Sequence, residues 1–218
     1  MKEFKKYAVL GILFILPLVA YLFFSRGVNN FVKLPTISED VLVETNFTDA
    51  LSNEKFSLEE KINLLTFFGE DVARKKVAAM NLKEKVYDKN RTFTDFQVVT
   101  FYSPNQEEEI KSFIYDINLT SDTSAWRFVE IDSDTQKRMH ASLDSEQMLD
   151  EKYSTNYVYI VDKSGDLRGR PDDEDYGQMN GYNMAKIADL NNKMVDDVKV
   201  ILAEYRLELK RLKAERIN

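Results

Sequence analysis

Two continuous apolar runs, each followed by a helical pattern, occupy the centre of this 218-residue chain. The first run is Ile62–Phe68, and a helical pattern follows it from Asp71 to about Lys89. The second run is Phe96–Tyr102, and a helical pattern follows over Asn105–Asn118. Strands that lack polar alternation are typical of a parallel sheet covered by helices on both faces. The sequence therefore predicts a buried parallel sheet at the core of the fold.

The later segments complete the order of elements. Trp126–Ile131 predicts a third strand, and Tyr157–Asp162 with Leu167–Gly169 predicts a hairpin that turns at Gly165. A long helix from about Met184 to Lys213 ends the pattern. The order β-α-β-α-β-β-α, preceded by a further β segment, predicts an α/β fold: a thioredoxin-like mixed sheet with flanking helices. The predicted domain covers residues 41–213.

An uncharged apolar segment, Tyr7–Phe24, precedes this domain. Its 18 residues are close to the shortest helix that spans a hydrocarbon core of about 30 Å, and a cleaved signal peptide is the competing interpretation. Lys2, Lys5 and Lys6 lie just before it, which favours a cytoplasmic N-terminus and a periplasmic domain. The sequence thus predicts an N-terminal transmembrane anchor in residues 1–26, a linker in 27–40 and a single-pass protein of the bacterial inner membrane.

Composition limits the chemistry that the chain can perform. It has no cysteine and one histidine, His140, so disulfides, thiol catalysis, cysteine-based zinc sites and multi-histidine metal sites are excluded. The net charge is −7. An acidic domain does not suit nucleic acid, because nucleic-acid binding depends on neutralising phosphates. No nucleic-acid partner is therefore expected.

Several segments in this order resemble the Sco/SenC family of membrane-anchored, thioredoxin-like copper chaperones used in cytochrome c oxidase assembly. The matching pieces are LLTFFG leading into a helix, VVTFYSPNQEEEIKSF, DTSAWRFV and YVYIVDKSGDLRGR. They span roughly Leu34 to Glu204. The resemblance implies a periplasmic domain that works with a respiratory complex.

The family's copper ligands are missing from this chain. The resemblance places the two cysteines of Cys-x-x-x-Cys at Asp71 and Lys75, and the family's histidine at Ser154, within one or two residues. Cu(I) prefers thiolate, thioether or imidazole ligands, and these three residues offer none. We therefore expect no cofactor and no catalytic residue here, and we expect the Asp71 carboxylate to cap the following helix.

A relocated copper site is the alternative hypothesis. Met139 and His140, with Met148 further along the chain, form the chain's one cluster of soft ligands. Thioether and imidazole groups bind copper, but methionine more often fills gaps in a core. The acidic segment Arg170–Asn183 does not match the spacing of an EF-hand, and it predicts a solvated loop.

The last helix carries an apolar stripe that continues past the expected edge of the domain. Residues of this stripe follow a 3-4-3-4-3 spacing that ends in Tyr205, Leu209 and Leu212. A helix that reaches Lys213 is about 45 Å long, which exceeds the width of a small domain. Either the end of the helix is solvated, or it binds another copy or a neighbouring subunit.

These observations favour a non-catalytic, membrane-anchored scaffold. It would be a Sco/SenC-like accessory or assembly subunit of a respiratory complex, with cytochrome oxidase suggested by the resemblance alone. A periplasmic copper-delivery protein with relocated Met and His ligands is the alternative.

Overall fold

The computed structural model describes residues 2–25 and 33–215, with side chains at 11–22 and 33–211. The chain divides into two compact units, Met1–Val32 and Lys33–Asn218. In the first unit, helix α1 (Lys2–Ser25) contains Pro17 and includes the predicted apolar segment. Among the residues that the structure describes, no helix has the length and apolar character needed to cross a membrane. The anchor of residues 1–26 stays a prediction.

The second unit contains a central mixed sheet and two small hairpins. Its strands are β1 (Thr36–Ser38), β2 (Asn46–Thr48), β3 (Lys55–Ser57), β4 (Ile62–Gly69), β5 (Phe96–Tyr102), β6 (Trp126–Glu130), β7 (Tyr157–Val161), β8 (Leu167–Arg168), β9 (Arg170–Asp173), β10 (Gly177–Met179) and β11 (Tyr182–Asn183). The sheet order is β1-β8-β7-β4-β5-β6, with β11 paired to β7. β5 runs parallel to β4 and β6, whereas β7 runs antiparallel to β4.

Helices cover both faces of this sheet. They are α2 (Val72–Leu82), α3 (Asp88–Asn90), α4 (Glu107–Asn118), α5 (Ser133–Ser142), α6 (Ile187–Asp189) and α7 (Val195–Glu215). A π-helical turn, Lys83–Tyr87, joins α2 to α3, and a second, Leu190–Met194, joins α6 to α7. One apolar core lies under α2, α4 and α7, and the other lies under α5 and the β2–β3 hairpin. The predicted α/β order and the long final helix are confirmed.

Several elements were not predicted. Helix α5 follows β6 directly, and β1 lies inside the segment that the sequence assigned to the linker. β1 pairs with β8, and Leu34 just before it is buried, so these residues belong to the domain. The rest of the predicted linker, residues 27–32, lies outside the described residues.

A further unpredicted feature is the β9–β10 hairpin in the acidic segment, which is not the solvated loop that its composition predicts. β9 pairs with β10, and Asp173 is buried in an ion pair with Lys193. Arg170 donates from Nε to Asp197 Oδ2 over 2.7 Å, and the Tyr182 hydroxyl donates to the same oxygen over 2.6 Å. These pairs hold the hairpin against the start of α7.

The start of the domain is held by a cluster of ion pairs and backbone hydrogen bonds. We call this cluster the entry clamp, and its residues are Leu34, Asp162, Arg168 and Glu204. The backbone N–H of Leu34 donates to Glu204 Oε1 over 2.8 Å, and the Leu34 carbonyl accepts from the Arg168 guanidinium. Arg168 also pairs with Asp162 over 2.6 Å and with Glu204 over 3.0 Å. The clamp therefore ties the first residues of the domain to both β8 and α7.

Candidate functional site

Gly69 marks the junction between β4 and α2, the place where the resemblance predicts the lost copper site. Its φ is +53°, and a Cβ placed there would lie 2.0 Å from the Lys152 carbonyl oxygen. Glycine is thus required both by the backbone conformation and by the close approach of the loop at 150–155. The Glu70 N–H donates to the Lys152 carbonyl over 2.9 Å, and the Thr155 N–H donates to the Phe67 carbonyl over 2.9 Å. The loop is therefore locked onto the end of β4.

Asp71 occupies the N-cap position of α2, but the predicted capping hydrogen bond is wrong. Its side chain makes no capping bond. The buried carboxylate instead pairs with Lys152 over 3.5 Å and with Arg74 over 3.6 Å. Two neighbouring cations compete with the helix N–H groups for the same oxygen, and this competition cannot be read from the local sequence.

Ser154 is buried and belongs to a hydrogen-bonded turn centred on Asp150. The Asp150 carboxylate accepts from the N–H of Lys152 and the N–H of Ser154, each over 2.9 Å, and from the Ser154 hydroxyl over 2.7 Å. Burial alone would raise the pKa of Asp150, but these hydrogen bonds and the nearby Lys75 charge outweigh it, so the pKa lies below its usual value. Asp150 therefore stays ionised.

Lys75 lies on α2, one turn after Asp71, and its side chain points inward. Its Nζ donates to Asn156 Oδ1 over 3.1 Å, and the residue is 6% exposed. Burial lowers the pKa of Lys75, while the charges of Asp150 and Asp71 act in the opposite direction. The Lys75 ammonium therefore feels the charges of two nearby carboxylates while it donates to the Asn156 amide.

The structure brings Asp71, Lys75 and Ser154 into one place, which we call the polar junction: Asp71, Lys75, Asp150, Ser154 and Asn156. Sequence reasoning found Asp71, Lys75 and Ser154, and it missed Asp150 and Asn156. Aspartate side chains often accept hydrogen bonds from backbone N–H groups a few residues later in a turn. Asp150 does so with Lys152 and Ser154, so its role could have been predicted from the sequence. The junction presents carboxylate, ammonium, hydroxyl and amide groups, a set without affinity for Cu(I).

The alternative soft ligands have different surroundings. Met139 is buried in the core under α5, whereas Met148 is 83% exposed. His140 is buried, its Nε2 lies 2.9 Å from the Tyr159 hydroxyl, and its ring meets the Phe67 ring edge-on. Burial lowers the pKa of His140 to about 4. No three His, Asp or Glu side chains among the described residues form a group able to hold a metal ion.

The end of α7 is exposed to solvent, as the apolar stripe predicted, although the Arg206 guanidinium still lies 4.5 Å from the centre of the Phe93 ring. Tyr205 still packs against the core, with Lys163 Nζ 3.4 Å from its ring centre. From Arg206 to Arg211 every residue is exposed, and Leu209 is 44% exposed. Leu212 lies in α7, but its side chain is outside the described ones. Of the three partner-binding candidates, Leu209 is therefore the one whose exposed side chain the structure describes.

Comparisons with known proteins bear on the fold. No protein-family profile and no curated protein matches the sequence. A provisionally assigned protein disulfide isomerase from Bacteroides thetaiotaomicron is 14% identical with a TM-score of 0.51, over 81% of this chain and 98% of that chain. Its likeness supports a thioredoxin-like fold, in agreement with the sheet order.

Two further solved structures match less well. A provisionally assigned electron transfer protein from Aquifex aeolicus VF5 is 16% identical with a TM-score of 0.49, over 78% of this chain and 98% of that chain. The soluble domain of Sco1 from Bacillus subtilis is 17% identical with a TM-score of 0.43, over 77% of this chain and 94% of that chain.

Removing the Asp150 carboxylate is expected to destabilise the domain. The Asp150→Ala substitution removes the acceptor of three hydrogen bonds at an exposed carboxylate, so we expect a loss of about 1–2 kcal/mol in the free energy of unfolding. Urea denaturation at pH 7 measures it. Glu151→Ala, which removes the adjacent exposed carboxylate, should change stability by less than about 0.5 kcal/mol. Equal effects of the two substitutions would contradict the role assigned to the polar junction.

Proposed function

We propose that this protein is a membrane-tethered, non-catalytic accessory protein that retains a thioredoxin-like frame without sulfur chemistry. The observation that carries the proposal is the polar junction. Where the resemblance places three copper ligands, Lys75 donates to Asn156, Ser154 donates to Asp150, and Asp71 pairs with Lys152. Such a site can fix the shape of a surface, but it cannot exchange disulfides or hold Cu(I) through sulfur. A surface with a fixed shape suits binding to another protein.

The proposed setting is a respiratory complex of the bacterial inner membrane, with assembly or stabilisation of cytochrome oxidase as the specific task. This part of the proposal rests on the Sco/SenC-like segments of the sequence. The predicted anchor would hold the N-terminus in the cytoplasm and the domain in the periplasm. A tether of this kind raises the local concentration of the domain near its membrane partner.

Deleting the gene in its own host tests this function. We expect the amount of assembled cytochrome oxidase in the membranes, measured by haem spectra and native gels, to fall. The wild-type gene should restore it. A version in which residues 1–26 are replaced by a cleavable secretion signal should restore it less well, because the tether is lost.

The response of the deletion strain to added copper distinguishes a scaffold from the alternative, a copper-delivery protein. Excess copper in the medium should not restore the oxidase if the protein acts as a scaffold. Restoration by copper, together with tight Cu(I) binding by the purified protein that His140→Ala abolishes, would instead identify a copper-delivery protein with relocated ligands. Unchanged oxidase levels after deletion would show that the respiratory assignment is wrong.

A further inference from the structure

The turn between β10 and β11 contains the chain's single Asn-Gly pair, Asn180-Gly181. Asparagine is one of the chemically labile residues of proteins, and a following glycine favours its reaction because glycine has no Cβ to hinder the attack. The Gly181 backbone nitrogen gives up its proton and bonds to the Asn180 Cγ, and the side-chain nitrogen leaves as ammonia. Water then opens the succinimide ring, which yields aspartate or isoaspartate at position 180.

The folded protein holds this pair in a form that opposes the reaction. Asn180 is 1% exposed, and its Nδ2 donates to the Asp144 carbonyl oxygen over 3.0 Å. A Cβ placed at Gly181 would lie 2.9 Å from the Tyr159 ring, so the Gly181 backbone is packed directly on that ring. The side chain and the backbone nitrogen that must approach each other are therefore both fixed, and burial keeps bulk water away from them.

The strand that follows the turn adds a further restraint. Tyr182 of β11 is paired with Val158 of β7, and the Met184 N–H donates to the Asn156 carbonyl oxygen over 2.8 Å. Freeing the turn therefore requires β11 to separate from β7, which is a local unfolding step. In the folded protein, the rate of deamidation should be limited by the population of such an open state.

The product does not suit the place that the asparagine occupies. A carboxylate oxygen would replace the Nδ2 group and face the Asp144 carbonyl oxygen, which needs a donor. No donor among the described residues reaches Asn180 Oδ1, so the second carboxylate oxygen would also lack a protein partner. A buried carboxylate without partners is strongly unfavourable. Isoaspartate would in addition lengthen the backbone beside the Tyr159 ring.

We propose that Asn180 is a deamidation site that the folded protein shields and that prolonged unfolding exposes, and that the modified chain no longer refolds. The reaction consumes only water and releases ammonia, so it needs no enzyme. It would leave an irreversible chemical record of unfolding in the turn that leads into β11. The inference does not depend on the proposed anchor or on the respiratory role.

The rates of conversion in the folded and unfolded chain test the shielding. Purified full-length protein is incubated in mildly alkaline buffer with and without guanidinium chloride, and peptide mapping by mass spectrometry follows aspartate and isoaspartate at position 180. We expect conversion to be at least about 100-fold slower in the folded protein, because it must await a rare opening. Equal rates would overturn the inference, and so would an absence of conversion in guanidinium chloride.

The yield of refolding tests the consequence of the modification. Wild-type protein is kept in guanidinium chloride for increasing times and then diluted, and the folded fraction is isolated by size exclusion. The yield should fall in step with conversion at position 180, and the folded fraction should be depleted in the modified chain by at least about tenfold. Asn180→Ser, which removes the labile amide without adding a charge, should keep its initial yield. A folded fraction that contains the modified chain in proportion, or an equal fall in both proteins, would contradict the proposal.

An encoded aspartate introduces the charge without the incubation. Asn180→Asp should lower the ratio of folded to unfolded chain by at least about tenfold at neutral pH. Asn53→Asp makes the same change at an exposed residue, and it should alter that ratio by no more than about twofold. Failure of Asn180→Asp to fold would agree with the inference, whereas stability equal to that of Asn53→Asp would overturn it.

Discussion

Replacing Gly69 with alanine is expected to lower the free energy of unfolding by more than about 4 kcal/mol. The new Cβ would lie 2.0 Å from the Lys152 carbonyl oxygen and 2.6 Å from the Tyr153 carbonyl carbon, and both are backbone atoms that cannot rotate away. The residue would also keep a φ of +53°, which is unfavourable for alanine. The loop has little freedom to retreat, because Tyr153 already adopts a φ of +57° and the Asp150 hydrogen bonds hold its neighbours.

Gly177→Ala provides the matched control. Gly177 also has a positive φ, +71°, but nothing lies within 4 Å of its added Cβ. Its substitution should therefore cost only the backbone preference, about 1 kcal/mol. Denaturant unfolding of both variants measures the difference, and hydrogen exchange at Glu70 and Thr155 reports whether the loop has moved. Similar losses of stability in the two variants would mean that the loop at 150–155 can move away from residue 69 at little cost in free energy. That result would contradict the rigid packing inferred from the contacts at Gly69.

The second large effect is a loss of stability in mild acid that His140 causes. Burial lowers the pKa of His140 to about 4 in the folded state, against an ordinary value of 6.5. Between pH 4 and pH 6.5, His140 is mostly protonated in the unfolded chain and mostly neutral in the folded chain. Stability from this group is therefore complete above pH 6.5, falls as the pH decreases, and is reduced by about 3 kcal/mol near pH 4.

The single histidine makes this effect measurable. Wild-type protein and a His140→Gln variant are unfolded with urea at several pH values from 7.5 to about 4, a range that covers the window set by the two pKa values. The wild-type protein should lose more stability than the variant over this range, since carboxylates contribute equally to both. The imidazole NMR signal of the folded protein should begin to shift only as the pH approaches 4. A midpoint near 6.5, or parallel curves for the two proteins, would contradict the burial argument.

The centre of the fold could be predicted because its signal lies in adjacent residues. β4 and β5 are confirmed, and their residues are buried along their whole length, as the apolar runs indicate. Helix α5 could not be found in this way. Its buried residues include Thr135, Gln136 and His140, which are polar, so the apolar period that marks a surface helix is missing. The Gln136 amide is buried against Ser103 and Ile131, a contact that exists only once the sheet is assembled.

The candidate site was also predictable only in part: the positions of its residues could be predicted, but most of their contacts could not. Asp71, Lys75 and Ser154 were located from their places in a resembling pattern, and the structure brings them together. Two of their interactions are with residues far away along the chain. Lys152 draws the Asp71 carboxylate away from the helix end, and Asn156 receives the Lys75 side chain across 81 positions of sequence. Ion pairs between distant segments produce no periodic pattern in the sequence. For the same reason, the sequence of the β9–β10 hairpin, which is held by such pairs, predicted a solvated loop.

The entry clamp has a mechanical consequence. Leu34 is hydrogen-bonded both to Arg168 in β8 and to Glu204 in α7, and these two side chains pair with each other. A force applied to the segment before Leu34 is therefore shared by both hydrogen bonds, and they do not open one after another. Traction from the N-terminal side would thus be carried into the interior sheet and the last helix before β1 could peel away. A domain attached in this manner resists being unravelled by the motion of whatever its N-terminal segment is fastened to.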